Sequence, residues 1–270
     1  MLIFTDGVKD RILSALGQHA PERGGALLGP QNSNLITHFI EDADAQTTPS
    51  SYRPSPGLTG LVQAVEKAEP VRYRGIAHSH PGSFDRPSGP DHTAFANALA
   101  GNPHLDSFIA PIITLIPKGA DDKLNVVALG EAARMTCYAA WRRERGGIDV
   151  APMEATVMPV DAAASNLAVA LTERTAAAFS VKPSFATFNG VPFLVRTLEG
   201  EPFRLTLLLP PSFPLSRPIV LLRRRSRRSC ANEKQGAFLD VEELSPDWRM
   251  TWDGGPALVD AVMPSLFPNP

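Results

Sequence analysis

Apolar residues recur along the first half of the chain in two alternating periods. Leu2 to Thr5 is a short run of strand type, and Val8, Ile12, Leu13 and Leu16 then repeat at the spacing of one helix face. Gly24, Gly25, Ala26, Leu27 and Leu28 form a second run that stops at the Gly29-Pro30 breaker, so the chain opens β-α-β. Leu58, Leu61, Val62 and Val65 predict a second helix, and Tyr73 to His78 a strand that runs into the turn Pro81-Gly82. A third helix follows Pro90. Phe108 to Ile116 and Leu124 to Leu129 read as buried strands, and Arg134 to Trp141 as an added edge strand. Such alternation predicts a mixed α/β (α+β) domain, a sheet flanked by helices.

The pattern changes at Arg142 to Ala164, where RRERGG gives way to scattered Pro and acidic residues; this reads as a linker, with the domain break near 150. Beyond it, Leu167 to Phe179 reads as a helix. Phe185 to Leu209 reads as three strands joined at Asn189-Gly190 and Glu199-Gly200. A proline-rich stretch, Pro210 to Pro218, precedes a strand at Ile219 to Leu222, then an irregular segment, then a helix from Pro256 to Phe267.

Composition refines this picture only slightly. At 270 residues the chain has room for two ordinary domains. Hydrophobic residues at 43% and charged residues at 20% supply real cores and exclude a disordered tail. A net charge of -2 calls for neither nucleic acid nor an anionic membrane as a partner. Cys137 and Cys230 cannot build a disulfide framework or a Cys-x-x-Cys site, which points to a reducing compartment. Asp6, Lys9, Asp10 and Arg11 interrupt the opening where a signal peptide needs an apolar core. The longest apolar stretch, Phe108 to Pro117, falls far short of the roughly 20 residues of a spanning helix. A cytoplasmic protein is expected.

The chemistry-bearing stretch is His78-Ser79-His80-Pro81, then Gly82 to Pro87, then Ser88-Gly89-Pro90-Asp91. On a strand, His78 and His80 point to one face and can reach one ion. Asp91, in the first turn of the next helix, can fold back beside them. Two His and one carboxylate leave a fourth zinc position for water, as catalytic sites require. A base must still move that water's proton, and Glu22, just before a buried strand, is the candidate. Ser88 can donate to an oxyanion. Taken singly, each residue has an ordinary role: His78 and His80 as core histidines, Ser88 and Asp91 as a helix cap, Glu22 as a loop carboxylate. Pro81, Gly82 and Ser83 stand where metallo-β-lactamase-like hydrolases need Asp-His. His92 adjoins Asp91 as an outer-shell candidate, while His19, His38 and His104 read as structural or solvated.

The whole pattern, a Glu before Gly-Gly-Ala-Leu-Leu-Gly and then His-Ser-His, seven residues, Ser, two residues and Asp, resembles the JAMM (MPN-plus) metalloproteases over roughly residues 1 to 145. The resemblance implies a cytidine-deaminase-like mixed sheet and one Zn2+ per chain held by His78, His80 and Asp91. It further implies Glu22 as general base and Ser88 as transition-state support. It also implies cleavage after the Gly-Gly tail of a ubiquitin-like protein or its conjugates, with other E1- and E2-like proteins of such a pathway as partners. The alternatives are a non-cleaving scaffold of the same fold, whose sign would be absent ligands, and a sulfur-carrier processing protease, which shares the site and differs in substrate.

Further on, Gly200 to Pro214 and Arg217-Pro218-Ile219-Val220 are similar to the central sheet of ubiquitin-conjugating (E2-like) α+β domains. Asn232, Gly236 to Asp240 and Ser245 to Trp248 resemble the stretch around their active cysteine. Phe238 occupies the place of the nucleophile and Cys230 that of a motif histidine, so the resemblance implies a binding module without thioester chemistry. The expected domains are 1–148 and 160–270. Arg223, Arg224, Arg225, Arg227 and Arg228 form a basic run that reads as a solvated loop or as a contact for an acidic partner. No aromatic residues interleave with the arginines, which argues against nucleic acid. The pairing of the two domain types resembles bacterial ubiquitin-like conjugation systems, some of which serve antiphage defence.

Overall fold

The computed structural model describes residues 1–17, 22–31, 33–48, 51–115, 123–189, 191–201, 203–210, 213, 218–224, 241–244 and 256–267. It divides into two compact units, Met1–Val157 and Met158–Pro270.

The first unit begins with β1 (Leu2–Thr5), α1 (Asp6–Leu16), β2 (Gly24–Pro30), β3 (Leu35–Ile36) and β4 (His38–Glu41). There follow the hairpin β5 (Gln46–Thr48) and β6 (Ser51–Arg53), then α2 (Pro56–Ala68), β7 (Val71–Ser79) and α3 (Gly89–Gly101). Its last strands are β8 (Phe108–Ile109), β9 (Ile112–Leu115), β10 (Val126–Leu129), β11 (Ala133–Thr136), β12 (Tyr138–Arg142), β13 (Ile148–Pro152) and β14 (Ala155–Met158). Strand β7 is central: β2 pairs with it antiparallel on one side, and β8 and β9 run parallel to it on the other. Helix α1 covers one face through Val8, Ile12 and Leu16, packed on Leu27, Ala77, Ile109 and Ile113. Helix α3 covers the other through Phe95 and Leu99, packed on Phe108, Tyr73 and Ile76.

Several boundaries differ from the sequence reading. Phe108 to Ile116 breaks into β8 and β9 around Ala110-Pro111, since proline lacks the ladder's N–H. Both pieces keep one register against the next strand, Ala139 beside Ile109 and Thr136 beside Ile112. Arg134 to Trp141 is therefore no edge strand: it forms β11 and β12, flanked outside by β10 and β13. The expected linker at 142–164 is structured. Arg143 and Gly147 close a turn through a 3.1 Å backbone hydrogen bond, β13 pairs with β12, and β14 joins a small sheet beside β1 and β3. Polar composition there reflects strands half exposed at a sheet margin.

The second unit comprises α4 (Val160–Thr175), β15 (Ser180–Phe188), β16 (Val191–Glu199), β17 (Phe203–Leu209), β18 (Ile219–Arg224), β19 (Val241–Leu244) and α5 (Pro256–Leu266). Its five strands form an antiparallel meander in sequence order. Phe188 pairs with Val191 and Asn189 sits at φ 50, the left-handed conformation that a two-residue hairpin turn demands. On β17 alternate residues are buried, from Phe203 through Leu205 and Leu207 to Leu209. Buried Arg196 donates from Nε to Asp161 Oδ1 at 2.7 Å, tying β16 to the first turn of α4. Helix α4 starts seven residues before the expected Leu167, and β19 falls within the stretch read as irregular. Arg225, Arg227, Arg228, Cys230, Asn232, Gly236 to Asp240 and Ser245 to Trp248 lie outside the described residues. Among those described, no helix is long and apolar enough to cross a membrane.

Phe95 anchors α3 with its ring centroid 5.3 Å from that of Phe108. Phe95→Ala is expected to lower the unfolding free energy of the first unit by about 3–5 kcal/mol, read as a reduced denaturant midpoint with an unchanged m-value.

Candidate metal centre

The end of β7 meets the start of α3 at the candidate site. His78 and His80 leave the strand on the face that α3 covers, the face of Ile76, and are 4% and 8% exposed. Pro81 and Gly82 then turn the chain out of the sheet; Gly82 adopts φ +61, which side-chain-bearing residues rarely do. The loop returns at Ser88, the N-cap of α3.

That cap is a full capping box. The Asp91 amide donates to Ser88 Oγ at 3.3 Å and the Ser88 amide donates to Asp91 Oδ2 at 2.6 Å. The Ser88 hydroxyl donates to the same Oδ2, also at 2.6 Å. Capping thus turns the Asp91 carboxylate back to the strand, with Oδ1 3.2 Å from His78 Nε2 and Oδ2 3.3 Å from His80 Nε2. The two Nε2 atoms are 3.0 Å apart. The ordinary role of a Ser-x-x-Asp cap and a ligand role coincide in one geometry.

The donor set fits a small divalent cation. Zinc bonds of about 2.0–2.1 Å at tetrahedral angles place neighbouring ligand atoms about 3.3 Å apart, close to the separations above. The Phe84 carbonyl, 3.0 Å from His80 Nδ1, accepts that nitrogen's proton. In the neutral ring Nε2 is then left as a lone pair directed at the cluster. Among the described residues, His78, His80 and Asp91 form a group whose ligand atoms all lie within 4.8 Å of one another.

Electrostatics bind the four groups into one unit. Burial opposes ionisation of Asp91, but hydrogen bonds from both imidazoles, the charge of His78 and the Ser88 hydroxyl outweigh it and hold the carboxyl well below its usual range. Burial likewise opposes a charged His80. The hydrogen bond and charge of Asp91, the Phe84 carbonyl and Glu22 outweigh that, so its pKa rises above 6.5. Glu22 is buried at the head of β2 beside these groups. Desolvation raises its pKa above 4.5 against the opposing His80 and His78, with Asp91 adding to the rise.

Several neighbours had no sequence signal. The Phe84 ring stacks on His80 with centroids 5.4 Å apart. Arg134 reaches from β11 to Thr114 Oγ1 at 3.3 Å and to Asp85 Oδ2 at 3.1 Å, holding the loop between ligands. The Tyr52 ring lies over Gly24, where a Cβ would sit 2.6 Å from ring carbons, and its hydroxyl donates to buried Asp42 at 3.1 Å. Tyr52, Pro54, Phe84 and Ala94 help line a cavity of about 520 Å³ that opens on the ligands. His92 is exposed, its ring 6.4 Å from that of Phe95, and takes no place behind Asp91. His38 is a structural residue, bonded to Thr37 Oγ1 at 2.9 Å and 3.3 Å from Glu69.

Fold and site together define a mixed α/β domain that brings two histidines and one carboxylate to a point. Residues 8–138 match the family described as prokaryotic homologs of the JAB domain. A solution structure of a protein from Desulfitobacterium hafniense is 19% identical, with a TM-score of 0.42 over 58% of this chain and 92% of that one. A JAB1/MPN domain protein from Archaeoglobus fulgidus is 16% identical, with a TM-score of 0.29 over 58% of this chain and 97% of that one. No curated protein matches the chain.

A metal ligand must be neutral imidazole, so the raised pKa of His80 sets a proton against the metal. Zinc affinity is expected to fall by about tenfold per pH unit once pH drops through that raised value, an onset above pH 6.5. The sign reverses for the metal-free chain. The His80 contribution to stability is complete below 6.5 and is lost as pH rises through the raised value. Competition titrations and thermal melts across about pH 5.5–8 check both.

Proposed function

We propose that the first unit is a zinc-dependent peptidase that cleaves after the C-terminal glycine of a ubiquitin-like protein, releasing it from a conjugate or maturing it. The observation that carries this reading is the convergence of His78 Nε2, His80 Nε2 and the Asp91 oxygens on one point, with buried Glu22 beside them. The match of residues 8–138 to prokaryotic JAB homologs supports a peptidase-type activity.

His78, His80 and Asp91 would hold one zinc. Zinc bound there supplies Lewis acidity, making a water nucleophilic near neutral pH and polarising the carbonyl under attack. Glu22 takes the proton of the attacking water and returns it to the leaving amine. Buried beside the cluster, its carboxylate is placed to accept that proton and to release it again. Ser88 first orients Asp91, since its hydroxyl proton is given to Oδ2; an oxyanion contact requires it to exchange that acceptor. The cavity beside the cluster, lined in part by Tyr52, Pro54, Phe84 and Ala94, has room for an apolar stretch of substrate.

In the second unit, a helix followed by an antiparallel meander supports the E2-like reading, with choice of protein partner as its role. Cytoplasmic ubiquitin-like conjugation is the setting this reading implies.

Glu22→Gln is expected to lower cleavage of a ubiquitin-like fusion ending in Gly-Gly by about 100-fold or more with zinc retained, and chelation to abolish it. Full activity in Glu22→Gln rejects the base. Bound zinc with no cleavage by the wild type rejects the peptidase reading in favour of a scaffold. Ser88→Ala should lose about 1 kcal/mol of stability with its cap, and zinc affinity with it, because Asp91 loses two of its bonds.

A further inference from the structure

Ser79 lies between the two histidine ligands yet turns to the opposite face of β7 and is buried. The β2–β7 ladder ends with Gly24 beside His78. There Gly24's carbonyl accepts from the Asp42 amide at 3.0 Å, and the His78 amide donates to Pro111 O at 3.2 Å. One step further, Arg23 and Ser79 stand where an antiparallel pair would exchange two backbone hydrogen bonds. One of them is present: the Ser79 amide donates to Arg23 O at 2.8 Å. The other is replaced. The Arg23 amide donates to the Ser79 hydroxyl oxygen at 2.9 Å instead of to a carbonyl, and that hydroxyl lies 3.5 Å from Arg23 O.

This substitution ends the ladder and sets the direction in which the chain departs at Glu22. The next amide, that of Glu22, donates the other way, to Thr48 O on β5 at 3.1 Å. Two consecutive amides are thereby held from opposite sides, one by Ser79 and one by the β5–β6 hairpin. Between those anchors stands the backbone from which the Glu22 carboxylate reaches the cluster. An alanine at 79 leaves the Arg23 donor without its partner, whereas a threonine keeps the oxygen.

We propose that Ser79 is a positioning residue that fixes the Glu22 carboxylate relative to His78, His80 and Asp91 through the Arg23 amide. The inference rests on the reading of Glu22 as the base, and its test separates the two. In zinc-loaded full-length protein with carbon-13 at the glutamate carboxyl carbons, the Glu22 resonance is identified by its loss in Glu22→Gln. It is expected to shift in Ser79→Ala and to return in Ser79→Thr, with zinc content unchanged in both. Ser79→Val, isosteric with threonine but without the oxygen, gives the same reading should alanine not fold. On the Gly-Gly fusion, Ser79→Ala should lower kcat by about 10- to 100-fold and leave KM within about twofold. Added to Glu22→Gln, it should cost nothing more. A Glu22 resonance that stays in place in Ser79→Ala and Ser79→Val overturns the proposal whatever the turnover, as does zinc lost in step with activity. A shifted resonance supports it even where the wild type cleaves nothing, an outcome that rejects only the peptidase reading.

Discussion

A carboxylate at the third position of a helix can reach back and close its own first turn, and at Asp91 the same carboxylate also faces a pair of imidazoles. The two demands agree at only one helix phase, because each residue added or removed between the cap and the packed Phe95 and Leu99 rotates the carboxylate by about 100° relative to them. The surroundings hold that phase. Pro90 suits the first turn, Phe95 and Leu99 seat the helix on the sheet, and Arg134 fixes the connecting loop through Asp85.

Strand β7 divides its work by face. Toward α3 it presents His78 and His80, oriented by contacts with Asp91 and the Phe84 carbonyl. Away from them it presents Ser79, which grips the neighbouring chain. A strand with two candidate ligands on one face and an anchor on the other joins the His-His-Asp cluster to the carboxylate at the head of β2. Its central position, bonded on both edges, leaves it little freedom to twist.

How much of this was legible in the sequence follows the range of the forces. The spacing of His78, His80, Ser88 and Asp91 could be read because strand alternation and helix capping act over two to four residues. Helices α1, α2, α3 and α5 were likewise readable from local periodicity and proline or serine starts. The interior place of Arg134 to Trp141 was not, because it depends on pairing with Ile109 and Ile112 more than twenty residues away. The same holds for Ser79 and Arg23, separated by 56 positions. Phe84 escaped notice for another reason: its backbone carbonyl, which any residue carries, makes the contact with His80.

The candidate ligands come from two elements that meet only in the folded chain, the end of β7 and the docked start of α3. Any ion held between them therefore binds the native state in preference to the unfolded one. At a free concentration one hundred times the dissociation constant, such linkage adds about 2.7 kcal/mol of apparent stability, comparable to the loss of a buried side chain. The tolerance of the α3 core to substitution then ceases to be a property of the polypeptide alone and follows the supply of metal around it.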